Sequence, residues 1–289
     1  MRKLTKTSKI VIWIIVIIVF IAFCIWQNNS IVVSHFVYHN SKLPADFNNY
    51  KIMHISDLHN KMFGEEQSKL LNRIENLSPD IIVVTGDLID RRKFDLDTAV
   101  CLMKGAVKIA PVYYVSGNHE AWSGRYSQIK QRLDGVGVYI MDDTALDLSM
   151  GSSTIQLLGL ADPGFYTSDY LDGTDTSNLE EQLEQWSDSE KFKLLLTHRP
   201  ELFDLYCKHK IDLIFAGHAH GGQVRLPFIG GLAAPDQGLF PKYTSGSYSK
   251  GSSTMYVSRG LGNSIIPIRI FNRPEIVAVT LKNNEDPLL

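Results

Sequence analysis

An α/β fold, a layered sheet preceded by one membrane-spanning helix, is the expectation from three features of this 289-residue chain. Apolar strand-like runs alternate with helix-like segments from Tyr50 onward. One uninterrupted apolar run occupies Ile10 to Trp26. Hydrophobic residues at 44% and charged residues at 21% lie near the globular average, which excludes a disordered, collagen-like or multi-span membrane protein as a whole.

The apolar run comes first. Its 17 residues form a helix of about 26 Å against a hydrocarbon core of about 30 Å, long enough to span with little tilt. A cleaved signal would carry a shorter apolar stretch and small residues before the cut, which Ala22-Phe23-Cys24 imitates poorly. A retained anchor is therefore favoured, with a cleaved signal and a buried core helix as the alternatives. Arg2, Lys3, Lys6 and Lys9 precede the run, and no basic residue lies within 15 residues after it. By the positive-inside rule residues 1–9 are a cytoplasmic tip, residues 10–26 the anchor, and all that follows is extracytoplasmic.

After a polar break at Gln27–Ser30, Ile31–Tyr38 is rich in β-formers, so residues 27–49 read as a juxtamembrane segment with a first strand. The main domain, residues 50–285, offers strands at Lys51–Ser56, Ile81–Thr85, Val112–Ser116, Thr154–Leu160, Lys193–Thr197, Leu213–Ala216, Met255–Ser258 and Ile276–Leu281. Helical periodicity places helices at Gln67–Leu77, Leu96–Ile109, Tyr126–Leu133, Leu179–Trp186 and Glu201–Lys208. Asp169–Ser177 reads as a polar loop and Gly238–Ser253 as a Gly/Ser/Tyr-rich lid.

Charge and cysteines narrow the function classes. Without the four basic residues of the tip, 25 basic groups face 31 acids, a net charge of −6. Such a body cannot neutralise the phosphates of duplex nucleic acid, and that partner is set aside. Cys24, Cys101 and Cys207 show no paired spacing and read as buried thiols, with a Cys101–Cys207 bridge the one disulfide left open.

Five strand-like runs end in clusters of metal-ligand residue types: Asp57-Leu58-His59, Gly86-Asp87, Gly117-Asn118-His119-Glu120, Thr197-His198-Arg199 and Gly217-His218-Ala219-His220. Ligands of α/β sheets bind just past the carboxyl ends of strands. Five of the nine histidines fall in these segments, so the pattern is hard to assign to isolated turn or core residues. Carboxylate, imidazole and one amide, without thiolate, suit Mn, Fe or Zn. Seven candidate ligands are too many for one ion, whereas two ions about 3.5 to 4 Å apart would use them all and stabilise an in-line displacement at phosphorus.

In this order the motifs resemble those of the calcineurin-like metallophosphoesterases, over roughly residues 48–285. The stretch Gly217 to Pro227, with Arg259-Gly260-Leu261-Gly262 and Arg273-Pro274-Glu275-Ile276, resembles the bacterial membrane-associated branch. Ala219 departs from the commoner Thr of that branch, at a position not expected to ligate. The resemblance implies a four-layer αββα sandwich and a dinuclear phosphoric ester or pyrophosphate hydrolase, with in-line attack by a metal-bridging hydroxide. It implies one divalent ion held by Asp57, His59 and His220, a second by Asn118, His198 and His218, and Asp87 as the bridge. His119 would be the catalytic residue, facing the leaving oxygen. Arg199, Gln223 and Arg259 are candidate substrate contacts, with Arg225 beside them and with a salt bridge the alternative for Arg199. His54 reads as structural, and Asp90 and Glu120 as supports of the ligands.

The expected partners are a phosphate ester, with lipid-linked esters among the candidates, and the membrane. A tethered binder without turnover is the alternative, and so is an intracellular nucleotide or phosphoprotein phosphatase should the topology be reversed. A non-ligand histidine at the leaving group, His119, separates enzyme from binder.

Overall fold

The computed structural model describes residues 5–167, 174–264 and 267–283. Residues 169–173 of the expected polar loop, Arg2 and Lys3 of the tip, and residues 284–285 lie outside the described residues. Helix α1 (Lys6–Asn29) starts on a Thr5 cap, whose hydroxyl accepts the Ser8 N–H at 3.1 Å. Its most apolar window has a mean hydropathy of 3.0 and is only 6% buried, so it is not a core helix. The polar break expected at Gln27–Ser30 is corrected: Gln27 to Asn29 form the last helical turn, closed by the Ser30 N–H on Trp26 O at 2.9 Å.

That turn docks on the domain. Gln27 is buried and its Oε1 accepts the Asn272 N–H at 3.2 Å. Asn263 Nδ2 donates to Asn28 Oδ1 at 2.7 Å, and Lys61 Nζ donates to the Asn28 carbonyl. Phe23 meets Phe271 edge-on at 5.6 Å, and Arg273 lies over the Trp26 ring at 5.0 Å.

Beyond α1 the chain runs β1 (Val32–His39), β2 (Lys51–Ile55), α2 (Ser68–Leu77), β3 (Ile81–Thr85), α3 (Leu96–Ala106), β4 (Val112–Val115), α4 (Asn118–Trp122), α5 (Tyr126–Asp134) and β5 (Tyr139–Ile140). There follow β6 (Thr144–Met150), β7 (Ser153–Gly159), α6 (Ser177–Gln185), β8 (Lys193–Leu196), α7 (Phe203–Lys208) and β9 (Leu213–Ala216). Two small ribbons come next, β10 (Arg225–Leu226) with β11 (Gly230–Gly231) and β12 (Ala233–Ala234) with β13 (Gly238–Leu239). The last strands are β14 (Gly246–Lys250), β15 (Ser253–Val257) and β16 (Glu275–Lys282).

Two six-stranded sheets form, in the orders β1-β16-β2-β3-β4-β5 and β14-β15-β9-β8-β7-β6. Strand alternation distributes their side chains to opposite faces. Ile52, Val83, Val115 and Val277 of the first sheet pack against Leu157, Leu194, Leu213 and Phe215 of the second. On the outer face of the first sheet, Met53, Ile82 and Val84 pack on Leu70, Leu102, Met103 and Ile129 from α2, α3 and α5. Leu158, Leu195, Ile214 and Met255 of the second sheet pack on Leu179, Leu183, Phe203 and Tyr206 from α6 and α7. Helices thus cover both outer faces of two facing sheets, the αββα sandwich expected from the resemblance.

The juxtamembrane strand β1 is part of the first sheet, paired in parallel with β16 from Val32↔Glu275 to His39↔Lys282. Two further expectations are corrected. Gly238–Ser253 is not a continuous lid, because β14 pairs with β15 at the sheet edge. No Cys101–Cys207 bridge exists: both thiols are free, on α3 and α7 in opposite outer layers. His54 is structural, its Nε2 2.7 Å from Thr85 Oγ1 and its ring 5.2 Å from Phe215, with burial lowering its pKa to about 3.

Candidate metal centre and active-site cleft

The carboxyl ends of β2, β3, β4, β8 and β9 converge where the two sheets face each other. Asp57 and His59 follow β2, Asp87 follows β3, Asn118 and His119 begin α4 after β4, His198 follows β8, and His218 and His220 follow β9. All eight side chains meet there and are buried. Asp57, His59, Asp87, His218 and His220 take left-handed backbone conformations, with φ between 45° and 64°. Non-glycine residues rarely do so, and such strain concentrates at functional sites. Gly86, at φ +83°, allows the β3 and β4 turns to touch, since a Cβ there would lie 2.5 Å from Gly117 N.

The turns bolt one another in place. The Glu120 carboxylate accepts the Asp87 and Gly117 N–H groups at 2.8 Å each and that of Ile89 at 3.2 Å. Asp87 Oδ1 accepts the His119 N–H at 2.8 Å, and Asp57 Oδ1 accepts that of His218 at 3.1 Å. Glu120 is expected from the sequence to support the ligands; the structure shows it holding the backbone of Asp87.

Side-chain donors converge in two groups that share Asp87, one of Asp57, His59, Asp87 and His220, the other of Asp87, His198 and His218. His59 Nε2 and His220 Nε2 face each other at 3.1 Å, and His220 Nε2 is 3.4 Å from Asp57 Oδ1. Burial depresses both imidazoles, His59 to about 3 and His220 well below its ordinary value. Two lone pairs aimed at one point, with a carboxylate beside them, fit a cation. In the second group His198 Nε2 lies 3.1 Å from both Asn118 Oδ1 and His218 Nδ1. His198 Nδ1 donates to the Thr85 carbonyl at 2.7 Å, which turns Nε2 into the site. His218 Nε2 is likewise held by Asp236 at 2.8 Å, leaving Nδ1 inward.

Electrostatics match a site built for positive charge. Burial alone would raise Asp87, yet His198, His119 and His59 hold it well below the usual carboxylate range. Burial pushes Asp57 up to about 6, with His198 opposing, and Glu120 up to about 8, with Asp87 adding to it. Burial disfavours charge on His198 too, but Asp87 overcomes it and raises the pKa to about 10. The donor set supports a dinuclear divalent metal site.

The family model for calcineurin-like phosphoesterases matches residues 50–222. The chain belongs to that family. This phosphoesterase is 33% identical over 251 residues to an uncharacterised metallophosphoesterase, YkuE of Bacillus subtilis, covering 84% of this chain and 83% of the relative. It is 30% identical over 256 residues to a bovine transmembrane protein with a metallophosphoesterase domain, covering 83% of this chain and 55% of that one. Among solved structures, TT1561 of Thermus thermophilus shares the fold at a TM-score of 0.50 and 13% identity, covering 74% of this chain and 91% of that chain. Membership makes the protein a metal-dependent hydrolase acting on phosphoric esters.

A cleft of about 290 Å³ opens over the phosphoesterase centre, walled by Asp87, Asn118, His119, His218 and His220 on one side. Arg91, Arg92, Trp122, Pro235, Asp236 and Ser264 complete it. The two arginines line the cleft, and the motifs do not reveal them. Arg92 bonds Asp90 through Nε at 3.1 Å and Nη2 at 2.7 Å, and Arg91 stacks on Trp122 at 4.8 Å. Their one sequence signal is position, four and five residues after Asp87.

None of the three residues expected to touch substrate lines the cleft, although Arg199 Nη1 lies behind it, 3.2 Å from His218 Nε2. Arg199 is buried in a fork on Asp162, with Nε at 2.6 Å and Nη2 at 2.9 Å, while Nη1 reaches Asp236 at 2.5 Å. Its partners are thus two acids, the internal Asp162 and the exposed Asp236. Arg259 turns to Glu275, 3.5 Å from Nε, and Gln223 does not line the cleft. Arg225 ties Gly221 O to Thr244 Oγ1. Arg199→Met should cost about 3–5 kcal/mol, because it strands the buried Asp162 charge. Denaturant unfolding measures this; unchanged stability with reduced kcat/KM would instead make Arg199 a substrate contact.

Proposed function

We propose that this chain is a membrane-anchored phosphoesterase with an extracytoplasmic site, in which Asp57, His59 and His220 hold one divalent ion, Asn118, His198 and His218 a second, and Asp87 bridges them. The observation that carries the reading is the position of Asp87, whose Oδ2 lies 3.5 Å from His59 Nε2 and 3.3 Å from His198 Nε2. When bound, such ions polarise the phosphoryl group and activate water near neutral pH.

His119 stays out of both ligand sets and acts on the leaving oxygen. Its Nδ1 accepts the Arg91 N–H at 3.1 Å, so the ring proton sits on Nε2, where it can hydrogen-bond the leaving oxygen. Arg91 and Arg92 supply the positive wall that a phosphate ester requires. Support for a retained anchor comes from the last turn of α1, where Gln27 and Asn28 bond to Asn272 and Asn263. The bovine relative, named as a transmembrane protein, points the same way. The basic residues before Ile10 support a cytoplasmic tip over residues 1–9, a span over 10–26 and a domain ending near residue 285 outside the cytoplasm.

Two measurements test the reading. Chelation should abolish hydrolysis, and Mn, Fe or Zn should restore it across a panel of phosphomonoesters, diesters and lipid pyrophosphates; hydrolysis by metal-free protein would refute it. Trypsin added to intact spheroplasts should cut at the exposed Ser187–Lys191 turn, whereas full protection from active trypsin would reverse the topology.

A further inference from the structure

Among the described residues, most exposed large apolar side chains outside α1 lie between Leu226 and Phe271. Phe228 (108% exposed), Ile229, Leu239 and Phe240 occupy the tips and ends of the β10–β11 and β12–β13 ribbons, with Ile268 and Phe271 beside them. Backbone bonds tie these segments in a row. Phe240 N–H donates to Leu232 O, Leu232 N–H to Val224 O, and Arg225 N–H to Ile270 O, at 2.9, 2.9 and 3.0 Å. The row ends on α1: Phe271 packs on Phe23, and Ile268 shares a groove with Phe20, Ile21 and Cys24. An exposed apolar face of this kind marks an interaction surface, and here it is continuous with the apolar run.

We propose that Phe228, Ile229, Leu239 and Phe240 form a second membrane contact, dipping into the leaflet from which α1 emerges. The proposal rests on the anchor reading above. Charge complementarity favours lipid as the occupant. Lys69 and Arg73 line a hollow with Ile25, Trp26 and Asn29, and Arg273 covers Trp26, so cations surround the helix end at headgroup level. The same ribbon has a catalytic side: Pro235 and Asp236, between β12 and β13, form part of the cleft wall. Seating the ribbon in the bilayer holds the cleft beside lipid headgroups, where phosphate esters carried by lipids reach it without leaving the membrane.

The test uses full-length protein in phosphatidylcholine–phosphatidylglycerol vesicles, with Cys24, Cys101 and Cys207 changed to Ser. Nitroxide labels are placed at Ile229→Cys, at Leu239→Cys, at Ile17→Cys within α1, and at Ser152→Cys, which lies at the opposite end of the sheet from the site. Collision with oxygen against a nickel chelate reads depth. Labels at 229 and 239 should lie about 5–10 Å below the phosphates, the depth of an interfacial apolar face, and the label at 152 in water. Water-exposed labels at 229 and 239 with a buried label at 17 overturn the second contact while the anchor stands. A water-exposed label at 17 overturns the anchor itself. Spin–spin broadening at 229 with protection from both reagents assigns the face to a second copy of this chain, which also overturns the proposal.

Discussion

Asp87→Asn is expected to strip most bound metal from the phosphoesterase and to lower hydrolysis by at least about 10³-fold, with the fold intact. The size follows from the several kcal/mol of charge stabilisation that a metal pair contributes at phosphorus, at about 1.4 kcal/mol for each factor of ten. Asparagine keeps the shape of the side chain but removes the negative charge that both donor groups share. Its amide would also present hydrogens to His59 Nε2 and His198 Nε2, which face Asp87 Oδ2 at 3.5 and 3.3 Å. The backbone should not move, because Glu120 holds the Asp87 N–H independently of the side chain. Metal analysis with circular dichroism checks the outcome. A folded variant with full metal content and the wild-type rate would end the dinuclear assignment.

His119→Ala should do the opposite to the metals and nearly as much to the rate. Metal content should stay, since the ring belongs to neither of the two donor groups that share Asp87. The rate should fall about 10²- to 10⁴-fold, the usual worth of a positioned proton donor. Loss should be greatest for esters with poor leaving groups, which need the proton, and smallest for aryl esters with excellent ones. A variant equally slow on both would place His119 outside proton transfer. Burial lowers its pKa, which works against the charged imidazolium, while Asp87 and Asp90 oppose that fall.

The strand-end clusters are legible in the sequence because each is a local pattern, an apolar run followed by a turn that carries ligand-type residues. The same holds for the central strands, buried on both faces, and for the helices with a clear apolar stripe. Edge strands are harder to see. β14, Gly-Ser-Tyr-Ser-Lys, has no buried residue, so nothing in its composition separates a paired edge from a loop. β6 does carry Leu146 and Leu148 at strand spacing, but only Leu148 is buried, and so short an alternation is a weak strand signal. The docking of the last turn of α1 is likewise hidden, since its partners Asn263 and Asn272 lie more than 230 positions away.

By itself, then, the sequence determined the layered α/β class, the apolar helix, the metal-type residues and the family resemblance, because those depend on periodicity and short motifs. Tertiary structure alone decided which cations face the cleft. Arg199 directly follows a ligand, yet Asp162, 37 residues earlier, holds it in a buried fork. Arg91 and Arg92 look unremarkable in sequence, yet the turn after β3 delivers them to the cleft. A buried guanidinium is committed by whichever carboxylate the fold brings into contact, and that pairing is a property of distance in space.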